Sequence, residues 1–152
     1  MFNPISKGNL GRSVLAVILS TFAFTQWGYI WYAVVLDDTW QSLIGRTEDE
    51  LILLAASRGI IQTVFTYLIS AVQVIGLLLL LKVTRAKTFW EYQLIAVIIG
   101  SLFAVPILGN AVLFAGASKG LWALDGLHFV FGYVGISIVL YGVQHIGTGH
   151  DV

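Results

Sequence analysis

The sequence predicts an all-α integral membrane bundle of four transmembrane helices, with a short amphipathic segment between the first two. Three observations predict it. The 152-residue chain is 58% hydrophobic and 11% charged, where a soluble domain carries about 25% charged residues. Its mean hydropathy is +0.89. Four stretches meet the length of about 20 apolar residues that a spanning helix needs: Leu10–Leu36, Gly59–Leu81, Phe89–Phe114 and Leu121–His145. The whole chain, residues 1–152, reads as one transmembrane domain. Its net charge of zero leaves no basic footprint for nucleic acid. The absence of cysteine removes disulfides, thiolate metal sites and thiol catalysis.

The first span follows Lys7 and Arg12, as a secretory signal would. Its apolar run, Val14–Val35, outlasts the 7–15 residues of a signal core and ends in aromatics and aspartates. It therefore reads as a retained helix around which the other three pack. Within it, Trp27 and Trp31 stand four apart, as do Gly28 and Tyr32, so each pair shares a helix face. Gly28 leaves a notch for close approach of another helix. Two readings of Trp27, Trp31 and Tyr32 stand: an aromatic belt at the bilayer edge, or the aromatic lining of a site. Asp37 and Asp38 mark the exit from hydrocarbon. The amphipathic segment follows, around Trp40–Leu43.

The second span continues a helix that begins near Thr47. Thr47 and Glu50 form a capping box ahead of the apolar run from Leu51, and Glu48, Asp49 and Glu50 suit a helix N-terminus. That accounts for the acidic cluster without a cation. Arg58, Gln62, Thr66 and Ser70 follow at steps of four, with Gln73 three later. Such a polar stripe must face protein or water. The connection Lys82–Thr88 is short, which makes the second and third spans antiparallel neighbours. Thr88 and Glu91 form another capping box, and Pro106 interrupts the third span's hydrogen-bond ladder. The fourth span carries Asp125 and His128 three apart, then Gly132-x-x-Gly135, a small-residue face suited to another helix.

Four spans put both termini and the 82–88 connection on one side. That side holds Lys7, Arg12, Lys82, Arg85 and Lys87, against Arg46, Arg58 and Lys119 on the other. The bias places both termini in the cytoplasm. Depth brings Arg58, Gln62, Asn110, Asp125 and His128 to the outward third of the bundle. Arg58 and Asp125 are expected to pair there, each lowering the cost of the other. This layer reads either as packing glue, as a ligand or ion path, or as a subunit interface. Asp125 and His128 also have the spacing of a proton-transfer dyad. Chemistry beyond that finds no support. His128 has no second histidine at its depth for haem, H-E-x-x-H is missing, and no phosphate-binding glycine loop occurs. His150 and Asp151 read as a solvated tail. The sequence names no cofactor and leaves its identity open.

Gly28-x-x-Trp31-Tyr32, Trp40, Ile44-Gly45-Arg46-Thr47 and Glu50-Leu51, then Asn110-x-x-Leu113-Phe114, Leu121-Trp122 and Asp125-x-x-His128, occur in that order. In these the chain resembles the bacterial membrane family called domain of unknown function 1761. The resemblance implies a four-helix protein of the bacterial inner membrane and brings no activity with it. Leu77–Leu81 departs from the family pattern and argues against a pore there. The leading expectation is a non-enzymatic accessory subunit of a larger membrane assembly, with the lipid bilayer and a protein partner or second copy as its contacts. The alternative is an oligomeric small-molecule or ion carrier, or a protein that binds a lipid, quinone or pigment.

Overall fold

The computed structural model describes residues 7–145, and every element in that range is helical. His150 and Asp151 lie outside the described residues. Helix α1 (Lys7–Ile30) widens into a π-turn at Trp31–Val35, and α2 (Asp37–Ile44) follows. Helix α3 (Glu48–Val83) is the longest. Helix α4 (Phe89–Ile99) passes through a second π-turn (Gly100–Ala104) into α5 (Val105–Ala115), and α6 is Lys119–His145. Four helical stretches are long and apolar enough to cross a membrane: Leu10–Val35, Glu48–Thr84, Phe89–Ala115 and Lys119–His145.

The local chemistry sets these boundaries. Both capping boxes form. Thr47 accepts from the amide of Glu50 while Glu50 accepts from that of Thr47, and Thr88 and Glu91 repeat the exchange. Gly45 and Gly116 end α2 and α5 in the left-handed conformation. Pro106 has no amide to donate to Leu102, and the ladder opens into the π-turn just before it. Helix α3 is broken once, at Gly59 (φ 52°, ψ −144°). The part beyond the break, Ile60–Val83, is about 36 Å long at 1.5 Å per residue, enough to cross a bilayer.

The packing centre is α6, not the first span. Its buried residues occupy more than one face. His128 and Gly132 meet α1, whereas Gly126, Val130 and Ser137 meet the α4–α5 unit. An ideal Cβ at Gly132 would lie 2.3 Å from Phe24, and one at Gly100 would lie 2.9 Å from the Val130 backbone. Glycine thus lets α6 be approached closely from two sides. Helix α3 leans chiefly on α1 and only touches α4, so the expected pairing of the second and third spans is not the main contact. The short connection joins the helix ends without laying the helices together. Gly132 is already filled against by Phe24, so Gly132-x-x-Gly135 is not a vacant interface. Only Gly135 is open. Large apolar side chains, such as Ile60, Val72 and Phe114, are exposed around the bundle.

The amphipathic segment is present as α2. Asp37 and Asp38 sit at its positive N-terminal end, and Asp37 accepts from Gln41 at 2.7 Å. Leu43 packs over Gly120 at the start of α6, and Trp40 lies 5.5 Å from Tyr32, centroid to centroid.

Candidate functional site: a cleft between α1 and α3 over His128

Between α1 and α3 lies a cleft of about 570 Å³ with part of α6 as its floor. From α1 come Phe24, Thr25, Gly28 and Tyr29, and from the π-turn that follows it Tyr32. From α3 come Gln62, Thr66, Ser70 and Gln73, which are four members of the polar stripe, with Thr63, Tyr67 and Ile69 beside them. Ala55 and Gly59 line it at the break in α3, and His128 and Phe129 form the floor. The stripe therefore faces an open groove, with Gln62 and Thr66 exposed in it and Ser70 buried at its inner end. Part of it is satisfied locally. Thr25 donates to Ser70 at 3.1 Å, Gln26 to the Tyr67 hydroxyl at 3.4 Å, and Thr66 to the Gln62 carbonyl at 2.9 Å.

His128 is 7% exposed, and neither ring nitrogen has a hydrogen-bond partner. Five aromatic rings surround it. Tyr32 and Phe129 lie 4.9 and 5.1 Å away, Phe24 5.9 Å, Trp31 6.3 Å and Trp27 6.4 Å, centroid to centroid. Trp27 lies within 4° of parallel to the imidazole, and its indole donates to the His128 carbonyl at 3.1 Å. The histidine is thus gripped by its backbone and by ring faces while its nitrogens stay unpaired. Gly28 supplies the room. A Cβ there would sit 3.5 Å from Nε2, so the notch in α1 holds the imidazole edge, and both ring nitrogens are buried.

The other predicted residues divide. Gln62 and His128 share the cleft. Tyr32 lines it and donates to Asp125 at 2.7 Å. Trp27 and Trp31 stand behind His128 instead of lining the cleft. Arg58 and Asn110 are both exposed and lie outside it. The expected Arg58–Asp125 pair does not form. Arg58 precedes the break in α3, and α3 hardly touches α6, so Tyr32, from the π-turn that continues α1, satisfies Asp125 instead. Nor do Asp125 and His128 form a dyad, since His128 has no partner and Asp125 is taken by Tyr32. Gly116-Ala117-Ser118-Lys119-Gly120 spells the hydrolase pattern G-x-S-x-G. The context is wrong for a nucleophile elbow. It joins two helices, and the Ser118 hydroxyl accepts from the Leu121 amide at the start of α6. Among the described residues no three His, Asp or Glu side chains gather as a metal site.

A family model described as "Protein of unknown function (DUF1761)" matches residues 15–141. The chain belongs to that family. The match runs from α1 into α6 and includes every residue lining the cleft. No curated protein and no solved structure matches the chain. The family description names no activity, so the site has to be read from its own chemistry.

Proposed function

We propose that this protein binds an uncharged, lipid-soluble small molecule within the bilayer, in the cleft between α1 and α3. The observation that carries this reading is His128, which forms part of the cleft floor with both ring nitrogens unpaired. A buried polar group without a partner costs about 1–3 kcal/mol, and a ligand that pairs with it recovers that cost. The cleft's lining contains no Asp, Glu, Lys or Arg. A charged ligand would therefore enter without a counter-charge, which favours a neutral one.

The carrier reading drew on Arg58, Gln62, Asn110, Asp125 and His128, and only Gln62 and His128 line one space. The accessory-subunit reading drew on Gly132-x-x-Gly135, and Gly132 is spent inside the chain. Binding without catalysis is the reading that the cleft supports best. We place both termini in the cytoplasm on the five-to-three Lys and Arg bias.

The test is extraction of bound molecules from protein purified in mild detergent, in the parent and in His128→Phe. Phenylalanine fills the aromatic box and leaves no orphaned nitrogen, so the variant should melt at or above the temperature of the parent stripped of bound molecules. The expected result is a neutral apolar molecule, near one per chain, that accompanies the parent and is missing from the variant. The same molecule at equal yield in both would remove His128 from the site and the reading with it.

A further inference from the structure

We propose that the cleft takes a single-ring quinone, with one carbonyl against His128 and the opposite one toward the polar stripe of α3. This rests on the cleft being the binding site, and adds the class of ligand. Three features of the cleft narrow that class. Its lining is uncharged, which disfavours phospholipid headgroups and fatty-acid carboxylates. Aromatic side chains (Phe24, Tyr29, Tyr32 and Phe129) contribute to its walls and floor, and ring faces of this kind suit a flat, conjugated ring in offset stacking.

The third feature is that hydrogen-bonding groups come from two separate helices. His128 reaches the cleft from α6, and Gln62, Thr66, Ser70 and Gln73 reach it from α3. Gln73 Oε1 is also buried and unpartnered; as an acceptor it suits the hydroxyl of the reduced ring, whereas the Gln62 amide and the Thr66 hydroxyl can donate to a carbonyl. A sterol or fatty alcohol has one polar end and would leave one of these walls unpaired. A para-quinone carries an oxygen on each of two opposite edges. It also has two hydrogen-bonding forms, carbonyl and hydroxyl, and a neutral imidazole serves both: its N–H donates to a carbonyl, and its bare nitrogen accepts from a hydroxyl. Nε2 is the buried nitrogen beside Gly28, a residue that itself lines the cleft, so a small shift of the Gly28 segment or of the ring would bring it to a ligand. The cleft, at about 570 Å³, exceeds a single ring and leaves room for the start of an apolar tail.

The experiment is a fluorescence titration of the full chain in nanodiscs with decylubiquinone. Trp27 and Trp31 lie 6.4 and 6.3 Å from the His128 ring, so a quinone bound there quenches them. The parent should show saturable quenching. His128→Phe and Gln62→Leu should each weaken it at least tenfold. Gln62 is exposed to the cleft and leaves the packing intact when changed, which guards against a folding artefact. Quenching that never saturates, or that saturates equally in all three proteins, overturns the quinone assignment. If the quinone fails while extraction still recovers a molecule that His128→Phe loses, the cleft binds another neutral class. If both experiments fail, the cleft is not a binding site.

Discussion

Asp125 shows how one hydrogen bond decides which residues act together. Its carboxylate had two candidate partners on sequence grounds, Arg58 by depth and His128 by spacing, and it takes neither. Tyr32 donates to it at 2.7 Å from the helix beside it. The bond also orients a ring that lines the cleft and lies 4.9 Å from His128. Hydrogen bonds between membrane helices couple by about 0.6 kcal/mol on average and up to about 1.7 kcal/mol. In detergent unfolding, Tyr32→Phe and Asp125→Ala should therefore be non-additive by an amount in that range. Arg58→Ala and Asp125→Ala should add within error. Additivity in the first pair, or coupling in the second, would reverse the assignment.

Helix α3 owes its shape to one residue. Gly59 adopts φ 52° and ψ −144°, a conformation costly for any residue with a Cβ. It also borders the cleft, at the junction between the acidic-capped part of α3 and the part long enough to cross a bilayer. Space is not the constraint, because nothing lies within 4 Å of an ideal Cβ there. Gly59→Ala should then cost about 1–3 kcal/mol through backbone strain, or straighten the helix and reshape the cleft. Gly76→Ala is the control on the same helix. It too meets nothing within 4 Å, and its backbone is helical, so alanine there should be neutral or stabilising by up to about 1 kcal/mol. Thermal melts of the two variants separate the cases, and equal shifts would show that the break has no structural weight. The start of this element was legible beforehand, because a capping box is a local signal. The break was not, since a helical and a non-helical glycine have the same letter.

Across the whole molecule, the limits of legibility follow from what periodicity encodes. Hydropathy locates the four spans, because each must be apolar along its length, and the stripe from Gln62 to Gln73 announces a face that cannot meet lipid. The order of helices around the bundle is a different kind of information. It depends on close approaches such as Gly132 to Phe24 and Gly100 to Val130, which join residues far apart in the chain. These make α6 the hub and leave α3 leaning on α1. The cleft arises from that arrangement, and so Thr25, Tyr29 and Tyr67 were missed while Arg58 and Asn110 were included. What the four-span order does demand is that α2 and the turn before α6 share one end, as the packing of Leu43 on Gly120 also requires. The chain has no cysteine, so a single introduced thiol reports its own location without background. Asp38→Cys and Lys119→Cys both place that thiol at an exposed position. Losing Lys119 removes a positive charge from the side that carries α2, which can only strengthen the bias toward cytoplasmic termini. A membrane-impermeant maleimide applied to intact spheroplasts should label both variants to the same extent before and after lysis. Labelling of both only after lysis would invert the orientation and leave the fold standing. Labelling of one variant without the other would break the four-span topology itself.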